Sequence, residues 1–360
     1  MWESEINNII QRKNSFLLLT APVAWGKTQL VLKLLKLSSI HYLYISPLRA
    51  LAEEFYQKAQ ESYPSFMLNG VDDRALWKKF VNNNRGILIL TAERFSLNYW
   101  YDLLIAEKKN KKFCIIFDEF HLFYHWGESF RPKLWQCFID LSQTNFPILA
   151  LTATVNLELE VFCKKLLPIG IESAFFLNIG NHQLLYPPRK KYFFPKWSSG
   201  LFFKLLNAKL ILKKEGTILC FCKYRRQVDQ IYKIYKNKGF EVLSCKGGEV
   251  LPFIVNLSEN PRPDLIVATS TLSHGVNLPP ITAIFFAYAE NDQDFWTQMV
   301  GRGGRRGESY DLYLLDKSFL HPQIHHRLLS FVHAVILILT SGVVDSIDFF
   351  LGQSRHANKS

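Results

Sequence analysis

Short, continuously apolar runs recur along the chain, each followed by a polar or glycine-bearing segment. They include Phe16-Leu17-Leu18-Leu19-Thr20, Phe113-Cys114-Ile115-Ile116-Phe117, Ile148-Leu149-Ala150-Leu151, and the stretches 217–222, 265–269 and 281–287. Runs this short without polar alternation predict strands covered on both faces, as in a parallel sheet. Between them lie segments of helical period. Residues 28–37 place apolar side chains at helical spacing, and an amphipathic helix is expected from Gln227. Strands alternating with helices predict parallel sheets flanked by helices, in two units of the usual domain size.

Residues 178–205 lack a clear period and gather Gly180, Pro187-Pro188, Arg189 and Pro195. That composition predicts a boundary. The expected organisation is a first domain at 1–180, a linker at 181–204, a second domain at 205–322 and a helical extension at 323–360. The apolar stretch 331–344 is interrupted by His333 and a Ser-Gly pair, and is shorter than a membrane span. It reads as a core helix, and no membrane association is expected.

Candidate chemistry sits where the apolar runs end. After the first run comes Ala21-Pro22-Val23-Ala24-Trp25-Gly26-Lys27-Thr28, leading into the first helix. A strand, a loop and then Gly-Lys-Thr at a helix start is the context of a phosphate-binding loop. Backbone N–H groups and the helix N-terminus cradle phosphates there. Lys27 would reach the β- and γ-phosphates, and the Thr28 hydroxyl would ligate Mg²⁺. Ala21 stands where the general pattern has glycine, and Trp25 puts a large ring where the loop must wrap phosphate.

The run ending at Phe117 is followed by Asp118-Glu119-Phe120-His121. Two carboxylates at the carboxyl end of a parallel strand lie where open α/β sheets bind ligands. Asp118 would hold Mg²⁺, Glu119 would orient and deprotonate a water, and His121 would couple to the neighbouring motif. Thr152-Ala153-Thr154 ends the next run, where hydroxyls either cap a turn or bond to that site. Later comes Gln298-Met299-Val300-Gly301-Arg302-Gly303-Gly304-Arg305-Arg306. Arg302 and Arg305 are three apart and would share a face on a helix. A basic surface patch is the alternative, and it stays open for Arg306.

Charge adds a partner class. The 360 residues carry a net charge of +12, which for a nucleotide-hydrolysing protein suggests a polyanion such as nucleic acid. The basic runs 108–112 and 189–191 read as solvated faces. The six cysteines show no Cys-x-x-Cys spacing, which suggests neither zinc nor a disulfide framework. That usage fits a reducing compartment, and a cytoplasmic location is expected.

In this order the motifs resemble those of superfamily 2 helicases. The matching segments also include Ser46-Pro47-Leu48-Arg49-Ala50-Leu51-Ala52-Glu53-Glu54, Thr91-Ala92-Glu93-Arg94, and the stretch 268–279 with its Gly-Val-Asn-Leu-Pro. The chain looks like the DExH-box branch, and is most similar to archaeal DNA-repair helicases and exosome-associated RNA helicases. The resemblance covers residues 15 to about 316. It implies two tandem RecA-like domains hydrolysing ATP with Mg²⁺ between them. It gives catalytic roles to Lys27, Glu119, Arg302 and Arg305, with Arg305 as arginine finger and Arg302 near the γ-phosphate. The nucleotide would be bound by residues 21–28, Asp118 and Gln298, and the metal by Thr28 and Asp118. Nucleic acid would be held by Pro47, Arg49, Thr91, Glu93, Arg94, Thr269 and Asn277.

The chain departs from the family pattern in three ways. No upstream glutamine is placed convincingly to read adenine, since Gln11 is close to the first strand. Cys245-Lys246-Gly247-Gly248 stands where a His-Ala-Gly-like stretch is usual. Residues 325–352 resemble only the first helices of a winged helix. The expectation is an ATP-dependent helicase or translocase on single-stranded or partly duplex DNA, with RNA as an alternative. The competing readings are a catalytically weak nucleic-acid-binding adaptor, and a helicase subunit of a larger repair, recombination or defence complex whose partner supplies accessory domains.

Overall fold

The computed structural model describes residues 2–37, 40–109, 111–165, 171–195, 198–212, 215–273 and 276–316, together with positions 332 and 336. The chain divides into two units, Met1–Leu185 and Tyr186–Ser360. The extension expected at 323–360 lies outside the described residues, apart from positions 332 and 336.

In the first unit the strands are β1 (Ser15–Thr20), β2 (His41–Ser46), β3 (Ser65–Met67), β4 (Gly86–Thr91), β5 (Phe113–Phe117), β6 (Ile148–Thr152) and β7 (Ser173–Asn178). They form one parallel sheet in the order β3-β4-β2-β5-β6-β1-β7. Helices α1 (Trp2–Ile9), α2 (Lys27–Leu37), α3 (Arg49–Gln60), α4 (Asp73–Asn82), α5 (Leu97–Lys108), α6 (Phe120–Ser129), α7 (Pro132–Ser142) and α8 (Leu157–Lys164) join them.

The unbroken apolar runs are explained by two cores, one on each face. Leu17, Leu19, Tyr42, Tyr44, Ile116 and Leu149 lie in the cluster that takes in α2 and α3. Phe16, Leu18, Leu43, Ile45, Phe117 and Ala150 lie in the cluster that takes in α4 to α8. Successive strand residues point to opposite faces, so a strand buried on both must be apolar throughout.

The second unit has β8 (Lys190–Pro195), β9 (Thr217–Phe221), β10 (Val242–Cys245), β11 (Leu265–Ala268), β12 (Ile281–Phe286) and β13 (Asp311–Asp316). These are also all parallel, in the order β10-β11-β9-β12-β13-β8. Its helices are α9 (Ser199–Ile211), α10 (Arg225–Asn237), α11 (Val250–Glu259) and α12 (Gln293–Val300). Cys220 of β9 and Cys222, just past its end, fall in one core cluster.

The linker expected at 181–204 is corrected. Residues 190–195 form an edge strand paired with β13, and α9 begins at Ser199. Tyr192 and Phe194 are buried while Lys190 and Lys191 face outward. Its burial does not alternate cleanly, since Lys190 and Lys191 are both exposed and Phe194 and Pro195 both buried, and a Pro pair precedes it. Proline is tolerated on such an edge strand because one ladder side is unpaired. Arg189 anchors the strand's start through paired bonds to the Asp311 carboxylate, at 3.0 and 2.8 Å.

This boundary has a consequence. A fragment beginning at Tyr186 should unfold cooperatively in urea. A fragment beginning at residue 205 loses Phe194 and Phe202, both fully buried and in edge contact with ring centroids 5.6 Å apart. Losing either large aromatic costs about 3–5 kcal/mol, so the shorter fragment should show no cooperative transition. Equal midpoints would overturn the assignment of 186–204 to the second unit.

Candidate nucleotide site and nucleic-acid interface

Every motif of the first unit leaves the same sheet edge. The strands are parallel, so the segments after β1, β2, β4, β5 and β6 emerge together. Ser46 is in register with Thr91, Ile45 with Phe117, and Thr20 with Thr152.

The loop after β1 ends where α2 starts, at Lys27. Two residues take left-handed backbone conformations, Ala24 at φ 69° and Gly26 at φ 101°. The Gly26 conformation is one that side-chain-bearing residues rarely adopt. Trp25 is half-buried and packs against the cluster containing Leu17, Leu19 and Leu30. Its ring is therefore accommodated by apolar packing, which answers the steric concern raised by its sequence position.

Residues 180–185, which the sequence assigned to a domain end and linker, hold this loop from outside. The Val23 N–H donates to the Gln183 carbonyl, and Val23 pairs with Leu184 in an isolated bridge. A Cβ at Gly180 would meet Pro22 Cγ at 2.7 Å, so only glycine fits there without a shift. Asn181 exchanges two 2.7 Å bonds with the Val155 backbone, just past Thr154. One short segment thus ties the phosphate loop to the Thr-Ala-Thr turn.

Asp118 is buried at the end of β5, and its Oδ2 accepts a 2.5 Å hydrogen bond from the Tyr44 hydroxyl. Burial, followed by repulsion from Glu119, pushes its carboxyl up to about 6, while Tyr44 and Lys27 pull it down. Lys27 is therefore close enough for its charge to be felt. Glu119 has left-handed geometry, φ 47°, which turns the chain into α6. His121 Nδ1 lies 3.6 Å from Glu119 Oε2 and 2.9 Å from Thr152 Oγ1. Thr152 Oγ1 donates in turn to the Thr154 carbonyl and accepts from its N–H. The acidic turn and the hydroxyl turn are joined through one buried imidazole. Among the described residues no group of three or more His, Cys, Asp or Glu could hold a metal. The donors present, a carboxylate and the Thr28 hydroxyl, are hard oxygens.

The expected nucleic-acid residues of this unit divide. Arg49 is exposed at the start of α3, and pairs with Glu53 at 2.8 Å. Thr91 is half-buried at the end of β4. Pro47 is buried. Arg94 bonds the Asn69 carbonyl at 3.3 Å and lies 3.8 Å from Asp73, while Glu93 is bonded by Arg131.

In the second unit, the helix expected to align Arg302 and Arg305 is corrected. Helix α12 ends at Val300, and Gly301 to Arg306 lie in turns in which Gly304 is left-handed, φ 71°. Arg302 is 2% exposed and bonds backwards, from Nε to the Ser273 carbonyl at 3.2 Å and from Nη1 to the Val276 carbonyl at 2.5 Å. It braces the segment on either side of His274 and Gly275, which lie outside the described residues. Gln298 is buried. Arg305 is half-buried with Nε on the Gly301 carbonyl, and Arg306 is exposed, bonding the Leu278 carbonyl. Thr269 is buried, 3.0 Å from Thr271 Oγ1, whereas Asn277 is exposed.

Two helix-flanked parallel sheets, the first with a strand–loop–helix turn beside an acidic strand end, define a tandem RecA-like fold. Residues 3–162 match the DEAD/DEAH box helicase family, and residues 202–307 match the helicase conserved C-terminal domain. Over these two segments the chain is similar to superfamily 2 helicases.

Among curated relatives, the ATP-dependent RNA helicase dbp2 of Sclerotinia sclerotiorum is 26% identical over 30% of this chain and 20% of its own length. The chain thus spans about a fifth of that relative. The ATP-dependent DNA helicase Q-like 2 of Arabidopsis thaliana is 23% identical over 64% of this chain and 34% of its own. Among solved structures, Mss116p bound to ssRNA and AMP-PNP has a TM-score of 0.63 at 17% identity, covering 85% of this chain and 67% of that one. The Mycobacterium smegmatis helicase Lhr bound to ssDNA and AMP-PNP has a TM-score of 0.59 at 17% identity, covering 94% and 48%. These structural likenesses show the fold. No helix among the described residues is long and apolar enough to cross a membrane.

The Asp118 environment predicts a pH effect. Its folded carboxyl titrates near 6 and an ordinary one near 3.8. The folded state therefore binds the extra proton, and stability falls as pH rises from about 4 through 6. Asp118→Asn should stabilise the nucleotide-free protein in EDTA at pH 8 by on the order of 2 kcal/mol. The gain should shrink towards pH 4.5. Urea unfolding at both pH values checks this, and a gain independent of pH would contradict it.

Proposed function

We propose that the chain is an ATP-dependent helicase or translocase of the DExH type that moves along single-stranded nucleic acid, preferentially DNA. The observation that carries the reading is the meeting of Lys27, Asp118, Glu119, His121 and Thr152 at one sheet edge. The Asp-Glu-Phe-His order supports the DExH assignment, since His121 joins the glutamate to the Thr152 hydroxyl. The DNA preference is supported by the longer match to a DNA helicase, 64% of the chain against 30% for the RNA helicase.

In this reading the N–H groups of residues 21–28 and the Lys27 ammonium bind the β- and γ-phosphates of ATP. Asp118 and Thr28 would hold Mg²⁺, and their hard oxygens fit that cation. When bound, the ion would supply charge neutralisation for the phosphates. Glu119 accepts the proton of the attacking water, and His121 fixes its orientation. Arg305 supplies positive charge to the transferring phosphoryl group. Arg302 acts indirectly, through the backbone that it braces. Arg49, Thr91 and Asn277 contact the nucleic-acid phosphates, being accessible at segment ends. Pro47 and Thr269 support those contacts from buried positions, while Glu93 and Arg94 shape the turn through their ion pairs.

Two substitutions should separate binding from hydrolysis. Lys27→Ala should abolish ATP binding and turnover together. Glu119→Gln should keep ATP bound and slow phosphate release by at least about 100-fold, the usual worth of a general base. Phosphate release with and without single-stranded DNA or RNA provides the measurement. Turnover unchanged in both variants would remove the phosphate loop and the base from the reading, and stimulation by RNA alone would reverse the polymer preference.

The arginine pair supplies a second comparison. Arg305→Ala should lower turnover roughly a thousandfold, as expected of an arginine finger, with ATP affinity little changed. Arg306→Ala should leave turnover intact. If both variants merely weaken nucleic-acid binding and raise its salt sensitivity, residues 302–306 act as a phosphate-contact patch instead.

A further inference from the structure

Tyr44 belongs to none of the motifs read from the sequence, yet it makes a direct side-chain contact with the metal-site carboxylate. It lies on β2, in register with Ile116 of β5. Asp118 is two residues beyond Ile116, so both side chains fall on the same sheet face as diagonal neighbours. The phenol spans that diagonal and donates to Asp118 Oδ2 at 2.5 Å. The ring itself is immobilised. It is 2% exposed and stacks on Phe55 of α3, with centroids 3.9 Å apart and planes within 6°. A hydroxyl held this way has no alternative position, and a carboxylate bonded to it keeps one oxygen committed.

We infer that Tyr44 is a positioning residue that fixes the Asp118 carboxylate, so that Oδ1 is presented to the Mg²⁺ bound with ATP. The inference rests on the nucleotide-hydrolysing reading above. Partners of a ligand's ligand commonly set metal affinity, because an unheld carboxylate must be reordered each time the metal binds. Tyr44→Phe removes one oxygen and leaves the ring in its stack.

The test is equilibrium binding of a fluorescent ATP analogue, titrated with Mg²⁺ and repeated in EDTA. Tyr44→Phe should raise the Mg²⁺ concentration at half-saturation roughly tenfold, in line with losses from such partners. Nucleotide binding in EDTA should stay at the parent level, which a general loss of structure would not permit. Unfolding midpoints show whether the variant folds. If it does not, Asp118→Asn and Tyr44→Phe/Asp118→Asn form the second comparison. The hydroxyl has no carboxylate to orient there, so its removal should change Mg²⁺ dependence no further. An unchanged Mg²⁺ half-saturation in Tyr44→Phe, beside a parent with normal Mg²⁺-dependent binding, overturns the inference about Tyr44. Further weakening in the asparagine background overturns it too. A parent that shows no Mg²⁺-dependent nucleotide binding overturns the proposed function, and this inference with it.

Discussion

A carboxylate forced into the interior organises the first unit. Asp118 is buried at the end of a strand whose five residues are all buried. Charge in such a place is costly unless partners compensate it. Here the compensation comes from the Tyr44 hydroxyl and the nearby Lys27 ammonium. Both partners arrive by topology. Tyr44 sits on the adjacent strand β2, and Lys27 opens the helix that follows β1. The sheet order therefore decides which groups can answer the buried charge.

Beyond Asp118, polar contacts link the sheet edge in series. His121 lies between Glu119 and Thr152, and Thr152 ties into the turn at Thr154. Asn181 grips Val155, and Gln183 grips Val23 of the phosphate loop. A chain of bonds thus runs from the acidic turn to the phosphate loop by way of residues 180–185. Each link is short-range and mostly backbone-anchored, which favours a fixed geometry at the site.

The second unit uses its arginines differently. Arg302 is consumed by two carbonyls of the segment after β11, and its burial makes it part of the fold. Arg305 and Arg306 also bond backbone carbonyls, but they keep part of their surface exposed. Glycines at 303 and 304 permit the tight turn. A Cβ on Gly303 would meet the Tyr310 ring at 2.5 Å, and Gly304 is left-handed. Arginines at a three-residue spacing thus have distinct environments, because a turn replaces the helix that would have aligned them.

Local sequence determined six of the strands and the glycine-bearing loop after β1. A strand buried on both faces must be continuously apolar, and a loop that wraps phosphate needs a glycine where φ is positive. Both requirements act within a few residues, so β1, β5, β6, β9, β11 and β12 were legible in order, as was the turn at Gly26 that leads into α2. Strand β8 was not, because its adjacent lysines and its prolines give no alternating pattern and only its pairing with β13 makes it a strand. Nor was the role of residues 180–185, whose bonds go to segments far away in sequence. Tyr44 was invisible for the same reason, since it is 74 residues from Asp118 and only strand register makes them neighbours. The chain by itself specified which polar residues end the apolar strands. The tertiary structure decided which of them meet, because contact between distant residues depends on sheet order and register, which no local pattern encodes.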